Sequence, residues 1–277
     1  MSTAPHLPPV GHSRAGSSRV VGVGCALLLS LYASQGRSDE GMWTLTEFPR
    51  ERILRKYGFN ATDEWLRKVQ LASLRLADGC SGAFVSDQGL VLSNHHCISE
   101  CIVEQSSPSR DLNRTGFYAA TPASELKCSS MELNQLQDIE DVTAKLQAAT
   151  SGLPDAEFGS ALRREISNIE TACASSTKLR CDVVSLYHGG KYHLYKYKRY
   201  SDVRLVFLPE TGTARFGGDP DNFSYPRYSL DVSFLRVYEN GQPLKTTNYF
   251  PVSPTGVAAG DLVFSTGNPG STQRLMT

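Results

Sequence analysis

The chain has 277 residues, 28 basic and 28 acidic side chains, and so no formal net charge. A 40% hydrophobic and 20% charged composition suits a globular protein and excludes wholesale disorder. The absent basic excess argues against an electrostatic nucleic-acid binder, and the length allows about two domains at roughly 100–200 residues each.

Residues 1–36 carry Arg14 and Arg19 and no acidic side chain. An apolar run from Val20 to about Ala33 follows, then small residues at Ser34 and Gly36. This order is that of a secretory signal peptide. The run is shorter than the ~20 residues a membrane-spanning helix needs, so no stable membrane anchor is expected. An exported chain, periplasmic or secreted, is expected instead.

Asp63 to Leu76 reads as a helix, with Trp65, Val69, Leu71 and Leu74 near helical spacing and Thr62 or Asp63 as cap. Ala83–Val85 and Leu90–Leu92 read as two strands joined by a turn through Gly89. The middle, about 130–175, reads as helical. Leu133, Leu136, Ile139, Val142 and Leu146 make one stripe, and Phe158, Leu162, Ile166 and Ile169 a second after Pro154-Asp155. From Cys181 onward the pattern turns to strands: Val183–Tyr187, Tyr192–Tyr200, Val203–Leu208, Val232–Tyr238 and Leu262–Thr266. Short strands between Gly, Pro and Asn turns point to a β-barrel or sandwich. The chain ends in Pro269-Gly270-Ser271-Thr272-Gln273-Arg274-Leu275-Met276-Thr277 with no closing charged tail or helix cap, which reads as an interruption in mid-strand or mid-loop.

Without Cys25 of the apolar run, six cysteines remain, and an even number in an exported chain favours disulfides. Cys173 and Cys181 bracket a short loop, and a Cys80–Cys97 bridge would tie a strand start to the loop carrying His96. Six cysteines allow 15 pairings, and sequence alone does not choose among them.

Two stretches carry chemistry. In the first, Gly79-Cys80-Ser81-Gly82-Ala83-Phe84-Val85 leads to Asn94-His95-His96-Cys97. A catalytic base needs its imidazole held in one orientation, and a bridge beside His96 suits that need. In the second, Asp231 opens the apolar run Val232–Tyr238. Strands disfavour Asp, a buried Asp needs partners, and a His ring N–H is a natural one. His, then Asp, with a Ser still to come, is the chain order of the chymotrypsin-type triad.

Together these stretches resemble the bacterial dipeptidyl-peptidase 7/11 family, exported serine exopeptidases. Further matching pieces are Gly41-Met42-Trp43, Tyr187-His188-Gly189-Gly190-Lys191-Tyr192, Lys198 to Phe207, Phe216 to Tyr238 and Gly267 to Thr272. The resemblance implies a mainly β fold with helical insertions, a chymotrypsin-like double β-barrel. Here the second barrel is expected to be incomplete and the added helical domain missing. Residues 1–36 would be the signal peptide and 37–277 the N-terminal part of the catalytic domain. The resemblance further implies that His96 is the general base and Asp231 its orienting carboxylate. Asn222 would help bind the substrate's free α-amino group, beside Phe223, which stands where the family usually has Trp. Peptides with free N-termini are the implied substrates, with no cofactor and no metal, and the resemblance allows a homodimer of the longer protein. Ser81, in Gly79-Cys80-Ser81-Gly82, and Ser271 are both poor candidates for the nucleophile. The family serine lies far downstream, so the nucleophile is expected beyond these 277 residues.

Two rivals stand against this reading. One is a zinc site of His95, His96, Cys97 and Cys101, although neighbouring strand residues point to opposite faces. The other is a secreted, non-catalytic binding module on the same fold.

Overall fold

The computed structural model describes residues 42–218 and 228–268. The signal-like segment, Asn222, Phe223 and Ser271 lie outside the described residues.

The first helix, α1 (Arg50–Tyr57), stops at Gly58 in the left-handed conformation. The second, α2 (Asp63–Ala72), is capped by the Thr62 hydroxyl, which accepts from the Trp65 N–H at 3.1 Å, with Asp63 and Glu64 in its positive first turn. The helix expected to reach Leu76 ends here. Ser73–Leu76 is instead strand β1, where Leu74 and Leu76 are buried in alternation and Ser73 to Arg75 pair with β2 (Ser81–Phe84). Across a tight turn, β2 joins β3 (Leu90–Ser93) as expected. Gly89 sits in that turn with φ +66°. A Cβ there would meet the Val237 carbonyl and Leu244 at 3.0 Å, so only glycine lets the next layer close over the hairpin.

Next come α3 (Ser99–Gln105), α4 (Leu112–Thr115), β4 (Phe117–Tyr118) and β5 (Leu126–Lys127). The Leu133–Val142 part of the first expected helical stripe is overturned. Leu133–Asp141 forms the nine-residue strand β6, paired with β1 and with β8 (Lys191–Tyr200). Its register with β8 shifts between Leu136 and Asp138, leaving Gln137 extra. Such a bulge resets the two-residue alternation, and the apolar positions then mimic helical spacing. The helices of this region are α5 (Thr143–Thr150) and α6 (Asp155–Thr177), the latter matching the second stripe. After them come β7 (Arg180–Leu186), β9 (Val203–Leu208), α7 (Thr211–Ala214), β10 (Ser233–Glu239) and β11 (Gln242–Pro243). Residues 262–266, expected as a strand, form none. Phe264 docks instead against Phe48, Phe59 and Trp65.

The strands make one mixed-length, antiparallel sheet in the order β4-β9-β10-β3-β2-β1-β6-β8-β7, with β5 on β9 and β11 on β10. The main core, including Leu74, Phe84, Val91, Leu133, Leu205 and Leu235, sits along β1, β2, β3, the start of β6, β9 and β10 and encloses the Cys101–Cys128 bridge. A smaller core of Val142, Leu146, Ile169 and Leu194 lies beneath α5 and α6, where Cys173–Cys181 ties α6 to β7. Among the described residues no helix is long and apolar enough to cross a membrane.

Candidate active site

The register of β3 on β10 builds the site. Ser93 pairs with Ser233, so the residues just after β3 face those just before β10. The Ser233 hydroxyl donates to the Asn94 carbonyl at 2.9 Å, and the Ser93 hydroxyl donates to the Ser81 carbonyl at 2.9 Å. The Asn94 side-chain amide donates to the Asp231 carbonyl at 2.9 Å and reaches its carboxylate at 3.4 Å. Both chain segments are thereby clamped before the chemistry begins.

Asp231 holds His96 twice. One carboxylate oxygen accepts the His96 backbone N–H at 3.1 Å, and the other lies 2.7 Å from His96 Nδ1. An ionised carboxylate only accepts, so the Nδ1 proton sits between them and Nε2 carries the lone pair. Burial pushes the Asp231 carboxyl up, but its hydrogen bonds from the His96 ring and backbone outweigh this and hold it below the usual carboxylate range. It therefore stays anionic at neutral pH. The His96 side chain is 53% exposed, so Nε2 faces reach from outside. It also lies 3.5 Å from the sulfur of Cys97, which is bridged to Cys80. Such an imidazole can accept a proton at Nε2 while its far side is fixed and charge-compensated.

His95 differs completely from its neighbour. It is 3% exposed, burial drives its pKa down, and its Nε2 has no hydrogen-bond partner among the described residues. The four residues of the suggested zinc site do not converge. Cys97 and Cys101 belong to different disulfides, His95 points into the protein, and His96 points out. The Ser81 hydroxyl already accepts the Asn268 backbone N–H at 2.6 Å, and a Cβ at Gly267 would meet that hydroxyl at 2.9 Å.

Sequence reasoning brought His96 and Asp231 together but missed Asn94 and Ser233 as the clamp. The signal was a polar residue at the end of each strand, Asn94 after β3 and Ser233 at the start of β10.

Comparison with known proteins adds the wider setting. The profile of the family described as Peptidase S46 matches residues 38–277. Dipeptidyl-peptidase 7 of Porphyromonas endodontalis is 32% identical over 269 residues, covering 90% of this chain and 33% of the relative. An Asp/Glu-specific dipeptidyl-peptidase of Shewanella putrefaciens is 32% identical over 271 residues, covering 90% and 36%. The crystal structure of Porphyromonas endodontalis DPP11 in complex with substrate superposes with a TM-score of 0.68 at 27% identity, over 79% of this chain and 36% of that one. The same protein with the dipeptide Arg-Glu gives 0.62 at 28% identity, over 77% and 34%. The chain thus spans about a third of the length of the curated relatives it matches.

Proposed function

Because the chain belongs to the peptidase S46 family, we propose that it forms the base-bearing part of a serine-type dipeptidyl peptidase that releases dipeptides from free N-termini. His96 is the general base at Nε2, and Asp231 orients it and stabilises its charged form. The nucleophilic serine comes from sequence outside these residues, in the portion the relatives possess beyond the matched third. Its hydroxyl passes a proton to His96 and attacks the second peptide bond. His96 gives that proton to the departing amine, leaving the acyl-enzyme; water, deprotonated in turn by His96, then releases the dipeptide, and His96 returns the proton to the serine. Residues 37–277 form one barrel of a chymotrypsin-like pair, its helical embellishment and the start of the second barrel. Asn222 and Phe223 receive the substrate's α-amino group. Residues 1–36 direct export to the periplasm or medium, which agrees with three disulfides.

The observation that carries this reading is the 2.7 Å approach of Asp231 to His96 Nδ1, with the carboxylate anchored a second time on the His96 backbone. The isolated chain is expected to release no dipeptide from a chromogenic dipeptidyl substrate and to take no label from a fluorophosphonate that modifies activated serines. Turnover or labelling by the chain alone would place the nucleophile within it and overturn the outside-serine reading.

A further inference from the structure

Among the described residues, Cys80, Cys97 and His96 bring one ligand atom each within 4.8 Å of one another. In the oxidised chain the two sulfurs are spent on each other. We propose that opening the Cys80–Cys97 bridge turns this corner of the site into a three-ligand zinc site, two thiolates and His96 Nε2, with a fourth position open to water.

The geometry is already close to what zinc needs. Bond lengths of about 2.3 Å to sulfur and about 2.0–2.1 Å to nitrogen, at tetrahedral angles, place the two donor atoms roughly 3.6 Å apart. Cys97 Sγ and His96 Nε2 are 3.5 Å apart. Reduction lets the sulfurs part toward the roughly 3.8 Å kept by two zinc-bound thiolates. Asp231 on Nδ1 supplies the carboxylate that zinc-binding histidines favour, and it leaves the Nε2 lone pair free. This bridge is also the accessible one. Cys80 and Cys97 are half-buried, whereas Cys101 and Cys128 are fully enclosed and Cys173 and Cys181 are buried. A dithiol reductant therefore opens Cys80–Cys97 first, becoming a disulfide itself while the bridge gains two electrons and two protons. Zinc then displaces the two thiol protons.

Metal binding stands on these residues alone. Its consequence rests on the proposed peptidase reading: zinc on Nε2 occupies the lone pair the base needs and shuts turnover off until the metal is removed.

The test uses the whole chain, briefly reduced with dithiothreitol and desalted without oxygen. Alkylation with mass mapping is expected to find Cys80 and Cys97 free and the other two bridges closed; another bridge opening first would overturn the proposal. Zinc alone is then titrated against a chromogenic chelator. The reduced chain is expected to bind one equivalent at least tenfold more tightly than the oxidised chain, and His96→Asn, an exposed change that leaves the core intact, to lose at least tenfold. Equal affinity in oxidised and reduced chains, or in His96→Asn and the parent, would overturn the site. Neither readout needs turnover, so failure of the peptidase reading leaves this test standing.

Discussion

Strand β10 has one ion pair just before it and another at its middle, and the two could hardly differ more. Before it, Asp231 and His96 meet at 2.7 Å with side chains 31% and 53% exposed. Along it, Arg236 and Glu125 meet at 2.8 Å with side chains 17% and 2% exposed. Glu125 also accepts the Tyr238 hydroxyl at 2.8 Å, and Arg236 donates to the Gln88 carbonyl at 2.9 Å. Both carboxylate oxygens of Glu125 accept hydrogen bonds and Arg236 donates at two points, so the pair holds β10 to the segment before β5. The exposed pair leaves Nε2 with its lone pair toward the surface. One strand thus carries a buried pair that fastens chain segments together and, just before it, a pair whose imidazole stays open to solvent.

Breaking the exposed pair in a chain extended by the portion the relatives possess tests the contrast most severely. Asp231→Asn is expected to lower kcat about 10⁴-fold with little change in KM, because the amide favours the wrong imidazole tautomer. Steady-state kinetics on a chromogenic dipeptidyl substrate checks this. Breaking the buried pair should hurt folding instead. Glu125→Ala is expected to cost about 3–5 kcal/mol, since it strands Arg236 and the Tyr238 hydroxyl, as read from urea unfolding. The same Asp231→Asn change should cost under about 1 kcal/mol in that assay, as suits a pair open to water. If the two stability losses are equal, the division of labour along β10 fails.

A smaller effect concerns acid. The folded-state pKa of Asp231 lies below its unfolded value, so its contribution to stability is complete above the unfolded pKa and is lost as pH falls through the folded one. The unfolding midpoints of the parent and of Asp231→Asn are therefore expected to converge as pH drops below about 4. Divergence on acidification would contradict the direction of the shift.

Much of this was legible in the chain. The β2–β3 hairpin, α6 and the strands β7 to β10 follow from local periodicity and turn residues. Ser73–Leu76 and β6 do not. The first continues an amphipathic helix without a breaker, and the second hides its alternation behind a bulge at Gln137. Leu262–Thr266 has strand composition, but Phe264 gains more by joining Phe48, Phe59 and Trp65. At the site, His96 stood out because a Cys follows it, and Asp231 because a carboxylate beside an apolar strand needs a partner. Asn94 and Ser233 act through backbone register, which becomes visible only when β3 and β10 are paired. Two of the three disulfides were suggested by position. The buried Cys101–Cys128 link spans 27 residues with no local signal.

The proposed role of His96, as the base of a dyad serving a serine from elsewhere, is tested most directly by removing its imidazole. In the extended chain, His96→Ala is expected to abolish nearly all dipeptide release, by about 10⁴-fold or more, while the unfolding midpoint stays near that of the parent. Near-parental turnover by His96→Ala would contradict it.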